Sequence, residues 1–186
     1  MAALAEQKTY QAILTFWFEE TSAAQRWKKD PAFDALVARR FLPVHACAAL
    51  GELSWWRTCA EGRLAEIILL DQFSRNMFRG SAQAFAYDAM ALELAQEAVA
   101  LGMDKSLNPE QRSFLYMPYM HSESLDIHQK AVELFRSNGF SNNLDFEMKH
   151  KAIIEQFGRY PHRNSLLGRV SSEQELLFLQ QPGSSF

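Results

Sequence analysis

The 186-residue chain predicts an all-α fold of about eight helices stacked as antiparallel hairpins, and three observations carry that reading. Only six prolines and eight glycines punctuate it. No Asn-Gly or Asp-Gly turn joins two alternating segments, so strand signals are almost absent. The apolar residues recur instead at helical spacing. Tyr10, Ile13, Leu14, Trp17 and Phe18 form the first such stripe. Asp30-Pro31 is a start signal, a cap followed by proline in the first turn, and Phe33, Leu36, Val37 and Phe41 supply the buried face that follows. Pro43 lies inside this pattern, so a kink or break is expected near Leu42. Gly51 closes the stretch. Residues 63–76 carry Leu64, Ile67, Ile68 and Phe73 on a further helix. Gly80-Ser81 breaks the chain, and residues 85–101 form the longest uninterrupted pattern before Gly102 ends it. Asn108-Pro109-Glu110-Gln111 is a strong start. The helix running on from Glu123 stops at Asn138-Gly139, Asp145 opens the next, and Ser171-Ser172-Glu173-Gln174-Glu175 opens the last. Short links between these pieces favour antiparallel neighbours. The stops after Leu50, Leu101 and Asn138 are unevenly spaced, so no strict repeat is present and residues 1–186 read as a single domain.

Composition narrows the function classes. Apolar residues make up 48% and charged residues 22%, which is a globular balance rather than a disordered one. A net charge of −3 argues against a nucleic-acid binder, which needs a basic excess. The start, Met1 to Lys8, lacks the basic and apolar regions of a signal peptide, and the last residues, Ser184-Ser185-Phe186, carry no lipidation box. No apolar run reaches the roughly 20 residues that span a membrane. Two cysteines, Cys47 and Cys59, read as packing residues and suit a reducing compartment. A cytoplasmic protein with no membrane partner is the expectation. No Gly-x-Gly-x-x-Gly, P-loop or Cys-x-x-Cys occurs, so no cofactor is expected. His121, Glu123, Asp126, His128, His150 and His162 offer metal-ligand chemistry but not at ligand spacing, so no metal is expected either.

Three short segments hold side chains that a plain helical core does not need. In residues 71–80, Asp71 and Arg75 lie four apart, as do Gln72 and Asn76, and Arg79 follows. His121-Ser122-Glu123-Ser124 comes just after Pro118, which should bend the helix and loosen the chain near Ser122. Residues 158–164 place Arg159, His162, Arg163 and Asn164 in a piece that Gly158 and Pro161 keep irregular. Guanidinium groups suit carboxylates and phosphates, and imidazoles change role near neutral pH. If the segments converge, they make a polar pocket walled by aromatics. The plainer readings stand beside this: Asp71–Arg75 as an ion pair pinning helix ends, residues 162–164 capping backbone freed by Pro161, and His121 as a hydrogen-bonded core histidine.

At these residues the chain resembles a known family. The motifs are Phe16-Trp17-Phe18, Gly51-Glu52-Leu53, Leu70-Asp71-Gln72-Phe73, Arg75-Asn76 and Phe78-Arg79-Gly80. Further on come Met120-His121-Ser122-Glu123, His150 before Ile153-Ile154, residues 157–164, and Leu167-Gly168-Arg169. Together they are similar to bacterial domain-of-unknown-function family 924, over the whole chain. The resemblance implies an all-helical, tetratricopeptide-like fold and no established activity. One departure is visible: Ser74 stands where the family usually has proline, so the helix here is expected to run slightly further.

Residue chemistry then yields the functional expectations. The first is a binding module that holds an anionic small molecule or a peptide carboxylate through Arg75, Asn76, Arg79, Arg159, Arg163 and Asn164. The second is an enzyme acting on a small anionic substrate, with His121 or His162 as acid or base and Glu123 or Asp71 orienting it. The third is a helical interaction protein with no pocket. Exposed apolar residues on such a stack leave a homodimer open as well.

Overall fold

The structure, a computed structural model, describes residues 9–185. The segment 1–8, read above for the absence of a signal peptide, lies outside the described residues, as does Phe186. Among the described residues every regular element is helical.

Helix α1 (Tyr10–Thr15) runs on into a wide π turn, Phe16–Glu20. A short α2 (Ala23–Trp27) follows, closed at its start by a Ser22–Gln25 capping box. Asp30 caps α3 (Pro31–Ala49), accepting from the backbone N–H of Ala32 and Phe33, with Pro31 in the first turn. Of the kink or break expected near Leu42, the break is absent: α3 is continuous through Pro43. Pro43 and Arg39, whose carbonyl loses its donor, both sit on the exposed face, where that carbonyl is open to solvent.

Helix α4 (Ala60–Ile68) passes through a second π turn, Leu69–Phe73, into α5 (Ser74–Met77). This rod is the centre of the molecule: α1, α6 and α7 pack on α4, and α3 packs on α5. Nearly all of its residues are buried, so it has no polar face to spare. Most of its buried polar side chains find partners. Glu66 takes a two-pronged bond from Arg57 at 2.7 and 2.8 Å, Arg63 reaches Glu97 at 2.7 Å, and Ser74 bonds His45 at 2.8 Å. The helix does continue beyond Ser74, as expected, ending at Met77.

The two π turns face each other in the core. Phe16 from the first and Phe73 from the second meet Phe41 of α3, with ring centroids 4.8 to 5.8 Å apart.

The second half is built of consecutive packed helices: α6 (Asp88–Ala100), α7 (Pro109–Met120), α8 (Leu125–Asn138) and α9 (Ser141–Phe157). Asn108 and Gln111 form the capping box of α7. Helix α9 opens at Ser141, a turn earlier than Asp145 suggested. Pro118 leaves α7 regular to Met120, and the chain loosens only at residues 122–124. Gly158 adopts a left-handed φ of 68° to end α9. The chain then crosses back through Pro161–Arg163 to a last helix, α10 (Glu173–Leu179).

Candidate functional site

The three polar segments meet. A cavity of about 440 Å³ opens where the α2–α3 link, the α5 end of the central rod, the C-terminal end of α7 and the 161–163 turn come together. Arg75, Asn76, Arg79, His121, His162 and Arg163 all line it.

Its floor is set by the second π turn. A wide turn rotates the residues after it relative to an ordinary helix, and such turns recur at functional sites. Here it buries Asp71 completely while leaving Gln72, Arg75 and Asn76 at the cavity. Asp71 Oδ1 lies 2.6 Å from His121 Nδ1 and 3.1 Å from Arg75 Nη1, and its Oδ2 accepts from the Gln72 amide. Burial pushes the Asp71 carboxyl up, but Arg75, His121 and Gln72 together outweigh it and hold the group well below the usual carboxylate range. His121 shifts the other way from a paired histidine. Burial and then the Arg75 charge lower its pKa, overriding the pull of Asp71.

Those two directions define the proton. An ionised Asp71 only accepts, so the neutral ring of His121 carries its hydrogen on Nδ1 and keeps a lone pair on Nε2. No described residue bonds Nε2. His162, further along the wall, is lowered to about 3 by burial and by Arg163 and Arg75.

The arginines are fixed in place from behind. Arg75 donates to Asp88 at 2.9 and 3.0 Å. Arg163, only 5% exposed, lies between the rings of Phe85 and Tyr160, 4.7 Å from each centroid. Its Nη2 donates to the His121 carbonyl at 3.0 Å, and its Nη1 lies 3.3 Å from Asp88. Burial and the nearby Arg75 lower its pKa. Asp34, in the first turn of α3, accepts from Asn76 at 2.8 Å and from Arg79 at 2.6 and 2.9 Å.

Three residues expected at the site stand elsewhere. Glu123 accepts from Arg169 at 2.7 and 2.9 Å and from the Tyr160 N–H at 2.8 Å, tying the 122–124 link to the far segment. Arg159 pairs with Glu175 at 2.6 and 2.8 Å and fastens α10 to the end of α9. Asn164 is buried and donates to Ser171 Oγ at 3.0 Å. None of them lines the cavity. Each does nonetheless hold the 158–164 segment that carries His162 and Arg163.

Conversely, the cavity includes residues that spacing alone did not single out. Arg26 and Trp27 at the end of α2 and Lys28 and Lys29 of the link to α3 border it, and Phe85 and Leu166 add apolar wall. The signal was present as the densest run of cations in the chain, three in the four positions 26–29. Arg26 is paired with Glu110 at 2.8 Å, whereas Lys28 and Lys29 are exposed and have no ion pair among the described residues.

Elsewhere, no three His, Cys, Asp or Glu side chains gather as a metal site among the described residues. Cys59 accepts from the Gly62 N–H through Sγ at 3.4 Å, so it serves as a cap at the start of α4 rather than as packing alone. No described helix is long and apolar enough to cross a membrane.

Comparison with known proteins agrees with this architecture. The solved structure of a protein of unknown function, ATU0120 from Agrobacterium tumefaciens, is 37% identical and superposes with a TM-score of 0.88, covering 92% of this chain and 96% of that one. No curated protein sequence matches the chain. The model of the family described as bacterial protein of unknown function (DUF924) matches residues 13–183, and the chain belongs to that family.

Proposed function

We propose that this protein binds a small organic anion in the cavity. One observation carries the reading: six of the lining residues are Arg or Lys and two are His, while none is Asp or Glu. The balancing carboxylates, Asp71, Asp88, Asp34 and Glu110, bond these cations without being lining residues themselves. A solute entering the cavity therefore meets donors and positive charge. Lys28 and Lys29 are left to receive it. The volume falls in the range of small-molecule sites, which favours a small ligand over a long peptide. With only two cysteines in the chain, a cytoplasmic setting completes the proposal.

A thermal-shift series with phosphate, citrate and short carboxylated peptides tests it. A ligand present at 100 times its dissociation constant adds about 2.7 kcal/mol of stability. The double variant Lys28→Ala/Lys29→Ala should fold as the wild type does and bind the same anion roughly fivefold more weakly, with a smaller dependence on salt. If neither these anions nor phenyl phosphate, benzoate and adenosine monophosphate raise the melting temperature, the proposal fails.

A second reading is favoured by the 2.6 Å contact between Asp71 and His121. A neutral imidazole with its lone pair available beside fixed guanidinium groups is equipped to take a proton from a bound anion or from water.

A further inference from the structure

Inorganic phosphate or a lone carboxylate would occupy only a fraction of 440 Å³, so an anion that fills the cavity brings a body with it. The walls describe that body. Beside the cations stand Trp27, Phe85, Ala84 and Leu166. Phe85 is occupied, because Arg163 lies over it at 4.7 Å and Arg75 at 5.7 Å. Trp27 is the odd one. It is 61% exposed, yet its ring is held nearly parallel to Phe114, with centroids 5.7 Å apart and planes 14° apart. A tryptophan kept rigid by one neighbour while most of its surface stays open offers a flat apolar platform with little further ordering to be done. The two uncommitted lysines follow it directly in sequence, so the platform at the end of α2 and the receiving charges of the link to α3 lie side by side in the chain. That link is anchored at both ends, by the Ser22–Gln25 box before α2 and by the Asp30 cap of α3.

We infer that the ligand is an aromatic anion, a flat ring stacked on Trp27 with its phosphate or carboxylate received by Lys28 and Lys29 beside the arginine-lined wall. This rests on the anion-binding reading above and adds the ring. Aryl phosphates, including nucleotides, and aromatic carboxylic acids share the chemistry required. The plainer role for Trp27, covering Phe114 and nothing more, predicts no preference among anions of equal charge.

Calorimetric titration with inorganic phosphate, methyl phosphate, phenyl phosphate and phenol, on the wild type and on Trp27→Leu and Trp27→Phe, separates these. Phenyl phosphate should bind about tenfold tighter than methyl phosphate, the scale of one stacked ring. Trp27→Leu should abolish that advantage and Trp27→Phe should keep most of it. Inorganic phosphate should bind all three proteins alike, and phenol should bind none measurably. Equal affinity for methyl and phenyl phosphate, or an advantage that survives in Trp27→Leu, overturns the aromatic inference while leaving the anion site standing. If no phosphate binds the wild type, and adding benzoate and adenosine monophosphate gives no binding either, both readings fall together. Where binding occurs, the tighter of those last two assigns the source as an aromatic acid or a nucleotide.

Discussion

Arg163 shows how closely the cationic wall is tied to the core. A guanidinium is flat, weakly hydrated and has donors at fixed angles, so it can lie between Phe85 and Tyr160 and still reach the His121 carbonyl and Asp88. The bond to that carbonyl links the 161–163 turn directly to the residue whose ring carries the available lone pair. His121 is the side chain on which the acid–base reading turns, and its protonation state can be measured with no substrate in hand. Long-range proton–nitrogen spectra at neutral pH should show a neutral ring protonated at Nδ1, with a titration midpoint below that of a free histidine. A ring protonated at Nε2, or one still charged at neutral pH, removes the base and with it the second reading.

At the scale of elements, helix starts were the most legible part of the sequence. Asp30-Pro31, Asn108-Pro109 and Ser172 act as the caps their chemistry announces, because capping is a local transaction between a side chain and the next few N–H groups. The π turns were not legible. Nothing in residues 69–73 breaks a helical pattern, and the wide turn is sustained by tertiary contacts such as the Phe16–Phe73–Phe41 cluster and the Asp71–His121 bond. Pro43 leaves α3 unbroken for a related reason: its cost depends on whether water can reach the carbonyl it orphans, and burial is a property of the fold. The start of α4 gives a sharper test of element packing. A Cβ placed on Gly62 would lie 2.0 Å from the Trp56 carbonyl oxygen, a rigid backbone atom. Gly62→Ala should therefore destabilise the protein by about 3 kcal/mol or more, read by urea unfolding. A loss under 1 kcal/mol would mean that the 54–58 turn moves aside easily.

For the whole molecule, the meeting of the 71–80, 121–124 and 158–164 segments could be posed from sequence but not decided, since no local pattern says which loops converge. Sequence chemistry picked out residues that do line one cavity, yet it could not separate those from Glu123, Arg159 and Asn164, which have the same chemistry spent on bracing. The burial of histidines has a global consequence. His150 and His162 are held at about 3, chiefly by desolvation. The unfolded chain takes up protons at these two sites as pH falls below about 6.5, whereas the folded protein does so only near 3. Their contribution is therefore complete above the first value and is lost progressively on the way to the second. Glu147, raised by burial, opposes this only in the carboxylate range. The urea midpoint should fall between pH 7 and pH 5, before ordinary carboxylates titrate. A flat profile across that interval would show the two rings to be charged or solvated in the folded state.

The convergence at Asp88 also fixes when the cavity can come into being. Its carboxylate is shared by Arg75, thirteen positions earlier, and Arg163, seventy-five positions later, so the two guanidinium groups are brought side by side only after the C-terminal quarter of the chain has docked on the rest. A chain that stops short of Tyr160 keeps Arg75 and Asp88 but lacks His162, Arg163 and Leu166, so one wall of the cavity is missing. A chain truncated before Tyr160 should therefore bind the proposed anion far more weakly than the whole chain, however well its helices form.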